Sequence, residues 1–457
     1  MNNSETITIL KELLGEKLTT STSDRDIHGR SEAYFPHMPP DAVIYPETAE
    51  DISNILEICS KFNCPVIPWG TGTSLEGHSL AINGGVTVDL TKMKNVLSID
   101  QEDMVAVVQP GITRMELNEQ LKSTGLFFSV DPGADASIGG MASTRASGTT
   151  TVKYGTMADN VLAMQVILAD GRTIRTGSKA RKSSAGYDLT RLFIGSEGTL
   201  GIITELTLKL VGTPEKISAA VCSFSSISAA VETAILTIQM CIPIARIEFV
   251  DIATVKAFNL YSGTKMPELP HLLIEFHGSK LEVEDQSNRF GEIVLQMGGS
   301  DFTWSTKQEE RSKLWQVRHD AYHAILASKP GFTALVTDVC VPISKLAQAL
   351  QETVDEISKS NISGPILGHL GDGNFHSVLL IDPNNPDDLV EAKRLSDSMT
   401  KRALTFDGTV TGEHGIGMGK IPYMKLEHGL AWDLMSEIKK GLDPNNILNP
   451  GKMFLTD

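Results

Sequence analysis

The spacing of apolar and polar positions changes several times along the chain. Residues 41–66 read as a strand (DAVIYP), a helix (Ala49–Cys59) and a second strand (PVIPW), and such patterns alternate to about Val211. Between 160 and 210 the two-residue period of strands dominates. NVLAMQVILADGRTIRT is two apolar runs joined by Asp170-Gly171, a pair that suits a hairpin turn. Beyond Thr213-Pro214 the pattern starts afresh. ISAAVCSFSSISAAVETAILTIQM predicts strand then helix, LLIEFHG a strand, and SKLEVEDQSNRFGEIVLQMG a helix. TALVTDVCVPI predicts a strand and KLAQALQETVDEISKS a helix. This alternation predicts an α+β architecture: a first domain over 1–213, a second α+β domain over 214–425, and a C-terminal segment over 426–457, loop-like in DPNNILNPGKMF, that packs back on the first.

Composition narrows the class. The chain has 457 residues, 41% of them hydrophobic and 21% charged, which is ordinary globular chemistry. Its net charge of −16 argues against nucleic acid and anionic membranes as partners. No apolar run reaches the roughly 18 residues of a spanning helix. The N-terminal MNNSETITILKELLGEKLTT has no apolar signal core and reads as a short amphipathic helix. Five scattered cysteines without a CxxC pair fit a reducing compartment, so a cytoplasmic place is expected, with a peripheral one at the inner membrane left open.

Two glycine-rich stretches carry candidate chemistry. In PVIPWGTGTSLEGHS a strand runs into Gly70-Thr71-Gly72-Thr73-Ser74, with Gly77 further on. Glycine lets backbone N–H groups wrap an anion, and the hydroxyls add donors. A dinucleotide GxGxxG would need glycine where Leu75 stands, and the following HSLAINGGVTVDLTKM reads as loop then strand, so that fold is disfavoured. A plain turn cluster fits this loop as well. The second stretch, 131–161, is long, small-residue-rich and without apolar period, as functional loops are. Two such loops in succession suit a pyrophosphate-bearing ligand.

GHLGDGNFH, residues 368–376, reads as a hairpin with Gly371-Asp372-Gly373-Asn374 as its turn. Leu370 would then face Phe375, and His369 would face His376 on a shared side. Two imidazoles so placed can bind a divalent ion, though most metal sites need a third ligand; a solvated histidine pair is the plainer alternative. TVTGEHGIGMGK offers Glu413 and His414 between glycines. KLWQVRHDAYHAI is helical by pattern, with Trp315, Arg318 and Tyr322 on one side. Arg318 could grip a carboxylate, or form an ordinary surface salt bridge.

PWGTGTSLEG, VDPGADASIGGMASTRASG, YGTMADNV and LFIGSEGTLGIIT together resemble the FAD domain of the vanillyl-alcohol-oxidase superfamily. GHLGDGNFH, TGEHGIG and LNPGK resemble its D-2-hydroxyacid dehydrogenase branch, with the likeness falling on the D-lactate dehydrogenase (cytochrome) proteins. The resemblance covers nearly the whole chain from about residue 25.

The resemblance implies a two-lobed FAD-binding domain (PCMH/VAO type) with an α+β cap domain. It implies that Gly70, Thr71, Gly72, Thr73, Ser74 and Gly77 hold the pyrophosphate. Pro132, Gly133, Ile138, Gly139, Gly140, Ser143, Ser147, Gly148, Tyr154 and Gly155 would line the cofactor. Glu197, Gly201 and Ile202 would meet it through backbone, and Asn449 of LNPGK joins that set. Some relatives attach FAD through a histidine in the first loop. Thr73 stands at that place and His78 is displaced, so FAD is expected to be non-covalent. His369, His376 and Glu413 become the metal ligands, His414 the catalytic base and Arg318 the carboxylate binder. A His₂Glu set suits Zn²⁺ or Mn²⁺.

The implied reaction is oxidation of D-lactate or a related D-2-hydroxy monocarboxylate to the 2-oxo acid, with a quinone, cytochrome or electron-transfer flavoprotein as final acceptor. The branch acting on 2-hydroxyglutarate tends to carry a lysine where Val336 stands, which favours a monocarboxylate. The flavin subunit of a glycolate oxidase complex is the alternative, and a D-2-hydroxyglutarate dehydrogenase a further one.

Overall fold

In the computed structural model, residues 3–455 are described. The chain divides into two compact units: Met1–Ser147 with Gly155–Thr213 and Glu413–Asp457, and Gly148–Tyr154 with Pro214–Gly412.

The first unit holds two main sheets. In one, the strands Ala42–Ile44 and Val66–Trp69 run parallel to Val86–Asp89 on its two sides, and Leu18–Thr19 adds an antiparallel edge. The connecting helix Ala49–Phe62 is capped by Thr48 and Asp51, which bond each other's backbone N–H groups. It buries Ile52, Ile55, Leu56 and Cys59, the one-sided spacing that the sequence shows. The parallel bridge Val66–Leu448 brings the C-terminal tail onto the outer edge of this sheet. The other sheet is antiparallel, in the order Val96–Asp100, Val105–Val108, Ile202–Lys209, Val161–Ile167, Thr173–Gly177. Its last two strands form the hairpin expected at Asp170-Gly171, where Gly171 takes φ +84°.

The second unit is built on an eight-stranded sheet whose pairings are all antiparallel. The βαβ-like alternation yields an α+β layer without parallel pairs, because the same-sense strands joined by the helices Ile227–Gln239 and Lys280–Gln296 are each separated in the sheet by an antiparallel strand. Helices Ile227–Gln239, Lys280–Gln296, Ile343–Ser358 and Pro386–Thr405 contribute to one apolar core. Helices Ile252–Ser262, Gln308–His319 and Ala321–Ala327 contribute to another. All eight residues of the strand Asn374–Ile381 are buried, as for a strand covered on both faces.

Two expectations are corrected. The stretch KLWQVRHDAYHAI is not one helix: it breaks at Asp320, a poor helix former whose carboxylate accepts a hydrogen bond from Gln316 Nε2 at 2.9 Å. Tyr322 therefore lies on a separate helix from Trp315 and Arg318. TALVTDVCVPI is likewise two short strands, Thr333–Val336 and Val339–Cys340, interrupted at Thr337-Asp338. Cys59, Cys64 and Cys222 are buried thiols; Cys241 is exposed and Cys340 half-buried. Among the described residues, no helix is long and apolar enough to cross a membrane.

Candidate active site

The two hairpin histidines belong to the second unit, on the strands Ile366–His369 and Asn374–Ile381. The register differs from the one the sequence suggests: His369 lies opposite Asn374, and His376 opposite Leu367. The turn is residues 370–373, not 371–374. Leu370 is fully buried in the core, Gly373 takes φ +78°, and Asn374 enters the strand with a buried side chain. Its Nδ2 donates to Asp338 Oδ1 at 2.7 Å and to Val339 O at 2.9 Å. Asn374 is thus a buried strand residue, not a turn residue. The shift preserves which side each histidine faces. The rings are diagonal neighbours, 5.6 Å apart and nearly perpendicular, with a nitrogen of each within 4.8 Å of the other.

Each ring is held at Nδ1. His369 Nδ1 lies 2.7 Å from Glu248 Oε1, and His376 Nδ1 lies 3.0 Å from Thr337 O. A histidine fixed at one nitrogen by a carboxylate or carbonyl has its tautomer and ring orientation set, an arrangement that would suit coordination through Nε2. The break at Thr337-Asp338 supplies that carbonyl. It also places the Asp338 carboxylate to accept Thr411 Oγ1 at 2.7 Å. Glu248 stands opposite His369 on the neighbouring strand Ile244–Val250. Its other oxygen accepts Arg318 Nε at 3.0 Å and Nη2 at 2.6 Å. Burial opposes charge on Glu248, but His369 and Arg318 outweigh it and hold the carboxyl below its usual range.

A second polar group shares this unit. Tyr154 Oη lies 2.7 Å from His277 Nδ1, and His277 Nε2 lies 2.8 Å from Glu275 Oε1. Arg246, 3.6 Å from Glu275, stacks over the Trp315 ring at 4.6 Å. Burial pushes the Tyr154 phenol up to about 12. Tyr154 and Gly148, expected at the cofactor, thus belong to the unit of the histidine pair.

Glu413 and His414 belong to the first unit. Glu413 Oε2 accepts Ser147 Oγ at 2.8 Å. The following backbone is clamped by Glu197, whose two oxygens accept the N–H groups of Ile416 at 2.6 Å and Gly417 at 2.8 Å. Glu197 itself takes φ +53°. His78 Nε2 is 3.2 Å from Glu197 Oε2, and Glu76 O accepts Met418 N–H at 2.8 Å. Burial works against a proton on His78, yet Glu197 and Glu76 raise its affinity for one. Side chains at 415 and 417 have no room: a Cβ at Gly415 would come within 2.7 Å of Glu197 Oε1, and one at Gly417 within 2.1 Å of Glu76 O. Asn449 Nδ2 ties this region together, donating to His78 O at 3.1 Å and Glu197 O at 2.8 Å. Lys452 donates to Leu80 O, and its burial lowers the ammonium to about 7.

The first glycine loop also lies in the first unit, as does the second stretch except for Gly148–Tyr154. Gly70–Ser74 follows the strand Val66–Trp69 as a half-buried loop, and a Cβ on Gly70 would come within 2.3 Å of Ser137 Oγ. Ser137 caps the short helix Ile138–Ser143, so the two loops meet there. Donor-rich loops in contact fit a pyrophosphate. Pro132 and Gly133 are at the surface of this region, Gly133 exposed. The amides of Ile138 and Gly139 are already spent on Ile112 O and Pro110 O. Gly155 takes φ +79° just outside the helix Thr151–Tyr154. The Ile202 side chain is buried core, and Gly201 closely approaches Val166.

Sequence reasoning passed over Glu248 and Asp338. Both are lone carboxylates within apolar strand runs (IARIEFV and TALVTDVCVPI), and a buried unpaired-looking charge of that kind signals a partner.

The glycine loops and the fixed histidine pair suit a flavin-binding oxidoreductase. Residues 213–453 match the model of the FAD linked oxidases, C-terminal domain, and residues 40–177 match the FAD binding domain. The chain belongs to the FAD linked oxidases. It is 48% identical over 443 residues to a probable mitochondrial D-lactate dehydrogenase of Danio rerio, covering 96% of this chain and 89% of that one. It is 44% identical over 453 residues to a mitochondrial D-lactate dehydrogenase [cytochrome] of Arabidopsis thaliana, covering 98% and 80%. A glycolate oxidase subunit GlcD of Bacillus subtilis is 37% identical over 425 residues, covering 92% and 90%. Among solved structures, 4-ethylphenol oxidase from Gulosibacter chungangensis superposes with a TM-score of 0.81 at 20% identity, covering 98% of this chain and 96% of that one. That likeness shows a shared fold.

Proposed function

We propose that the chain oxidises D-lactate, or a related D-2-hydroxy monocarboxylate, to the 2-oxo acid with FAD as its redox cofactor. The observation that carries this reading is the histidine pair whose Nδ1 atoms are both fixed, by Glu248 and by Thr337 O. It occurs in a member of the FAD linked oxidases whose relatives from Danio rerio and Arabidopsis thaliana are named D-lactate dehydrogenases.

In this reading His369, His376 and Glu413 hold a divalent ion, Zn²⁺ or Mn²⁺. Such an ion would polarise the substrate hydroxyl and make its proton easier to remove. His414 accepts that proton, and Arg318 steers the carboxylate. FAD, when bound, supplies the acceptor for the hydride leaving Cα. The loops Gly70–Ser74 and 131–161 hold FAD without a covalent bond, Thr73 standing where some relatives carry the attaching histidine. The unit carrying the glycine loops serves as the FAD domain and the other as the cap. Electrons leave to a quinone, a cytochrome or an electron-transfer flavoprotein.

The test is anaerobic reduction of the flavin in His414→Ala. The variant is expected to retain FAD and to stay oxidised when D-lactate is added. Normal bleaching would overturn the role of His414.

A further inference from the structure

We infer that Glu248 is a positioning residue that couples metal binding to substrate-carboxylate binding, by dividing one buried carboxylate between His369 and Arg318. This rests on the function proposed above, because it takes His369 as a ligand and Arg318 as the carboxylate binder.

The geometry separates the two jobs by oxygen atom. Oε1 lies 2.7 Å from His369 Nδ1, and Oε2 receives both Nε and Nη2 of Arg318. The Glu248 side chain is completely buried, and those of His369 and Arg318 are 9% and 12% exposed. A carboxylate without water depends wholly on such partners. His369 and Arg318 come from different elements, a strand of the sheet and the helix Gln308–His319 above it. Glu248 sits on the strand next to His369, opposite it in register, so its backbone is fixed by the sheet. It therefore sets the ring plane of His369 and the plane of the Arg318 guanidinium from one rigid point.

The consequence for chemistry is specific. With Nε and Nη2 taken by Glu248, Arg318 presents its Nη1 end to an incoming carboxylate. A substrate binds that end only while the other stays fixed. Removing the negative charge at 248 should loosen His369 as a ligand and let the guanidinium turn. Orienting partners of metal-bound histidines change affinity by roughly 10–100-fold when lost. A residue that served only the fold would lower stability and leave metal affinity and the Michaelis constant alone.

The test uses the FAD-loaded full chain, with Zn²⁺ alone as the metal probe and D-lactate as the substrate. Zn²⁺ affinity is measured by competition with a chromogenic chelator for the native chain, Glu248→Gln and Glu248→Asp. Glu248→Gln is expected to keep its FAD, to bind Zn²⁺ roughly 10–100-fold more weakly, and to show a KM for D-lactate raised by about tenfold or more. Glu248→Asp, which keeps the charge on a shorter arm, should fall between the two; it also serves if the glutamine variant does not fold. Zn²⁺ affinity and KM within about twofold of native in a folded variant would overturn the coupling while leaving the proposed function standing. A native chain that binds no Zn²⁺ or Mn²⁺ would overturn the metal reading itself, and the coupling with it.

Discussion

Glu197 holds the backbone N–H of Ile416 at 2.6 Å, and its second oxygen holds that of Gly417. These bonds link two motifs separated by more than 200 residues: GSEGTLG carries the carboxylate and GEHGIG the amides. The loop bearing Glu413 and His414 is thus fastened from its C-terminal side by a buried anion. Charge-assisted bonds of this kind contribute about 1.5–3 kcal/mol each. Glu197→Gln retains one acceptor oxygen and turns an amide donor toward the other N–H. We expect turnover of D-lactate to fall by about tenfold or more, since each ~1.4 kcal/mol of lost transition-state stabilisation is tenfold in rate. FAD content, read from the visible spectrum, should stay near native. Unchanged kcat in a flavin-loaded variant would show that the clamp does not govern His414.

Metal removal separates the two halves of the proposed chemistry. Dialysis of the FAD-loaded protein against a strong chelator should leave the flavin bound and abolish its reduction by D-lactate. Zn²⁺ or Mn²⁺ should restore reduction, and Mg²⁺ should do so poorly, since two imidazoles favour the softer ions. Full reduction by the chelated protein would exclude a metal role at His369 and His376.

Asn374 offers a stability test independent of turnover. Its amide donates to Asp338 and to Val339 O inside the second unit, beside His376. Asn374→Leu fills much of the same volume but strips the buried Asp338 carboxylate of a donor. A loss of about 3 kcal/mol in denaturant unfolding is expected. A loss under about 1 kcal/mol would mean that Thr411 and the other neighbours of Asp338 suffice.

How far the sequence could be read depended on whether the signal was local. Apolar period and glycine placement are local, so the α+β class, the hairpin at Asp170-Gly171 and both glycine loops were legible. The histidine hairpin was legible as a hairpin, but its register was not. Composition places Asn374 in the turn equally well, while its bonds to Asp338 and Val339, 36 and 35 residues earlier, and its pairing with Cys340 hold it in the strand. Glu248 was invisible as a partner of His369 because the two are 121 residues apart and meet through strand pairing. Arg318 was singled out as a carboxylate binder through the family resemblance, while its engagement with Glu248 needed the tertiary fold.

Asp251 gives a pH-dependent prediction away from the site. It caps the helix Ile252–Ser262, where its Oδ1 accepts Thr254 N–H at 2.8 Å. Burial raises its carboxyl to about 6 from 3.8, against the pull of the bonds from Thr254 and the neighbouring backbone. A folded-state pKa above the unfolded one means that the native protein binds the proton more tightly. Stability from this group is therefore full below about pH 4 and is lost as pH rises through about 6. The shift corresponds to on the order of 2–3 kcal/mol, at 1.36 kcal/mol per pKa unit. Asp251→Asn keeps an oxygen for the cap and cannot ionise. Relative to native, it should therefore gain on the order of 2 kcal/mol between pH 4.5 and pH 7.5, measured by denaturant unfolding at both values. A difference between variant and native that is the same at both pH values would show that Asp251 ionises in the folded chain as readily as in the unfolded one.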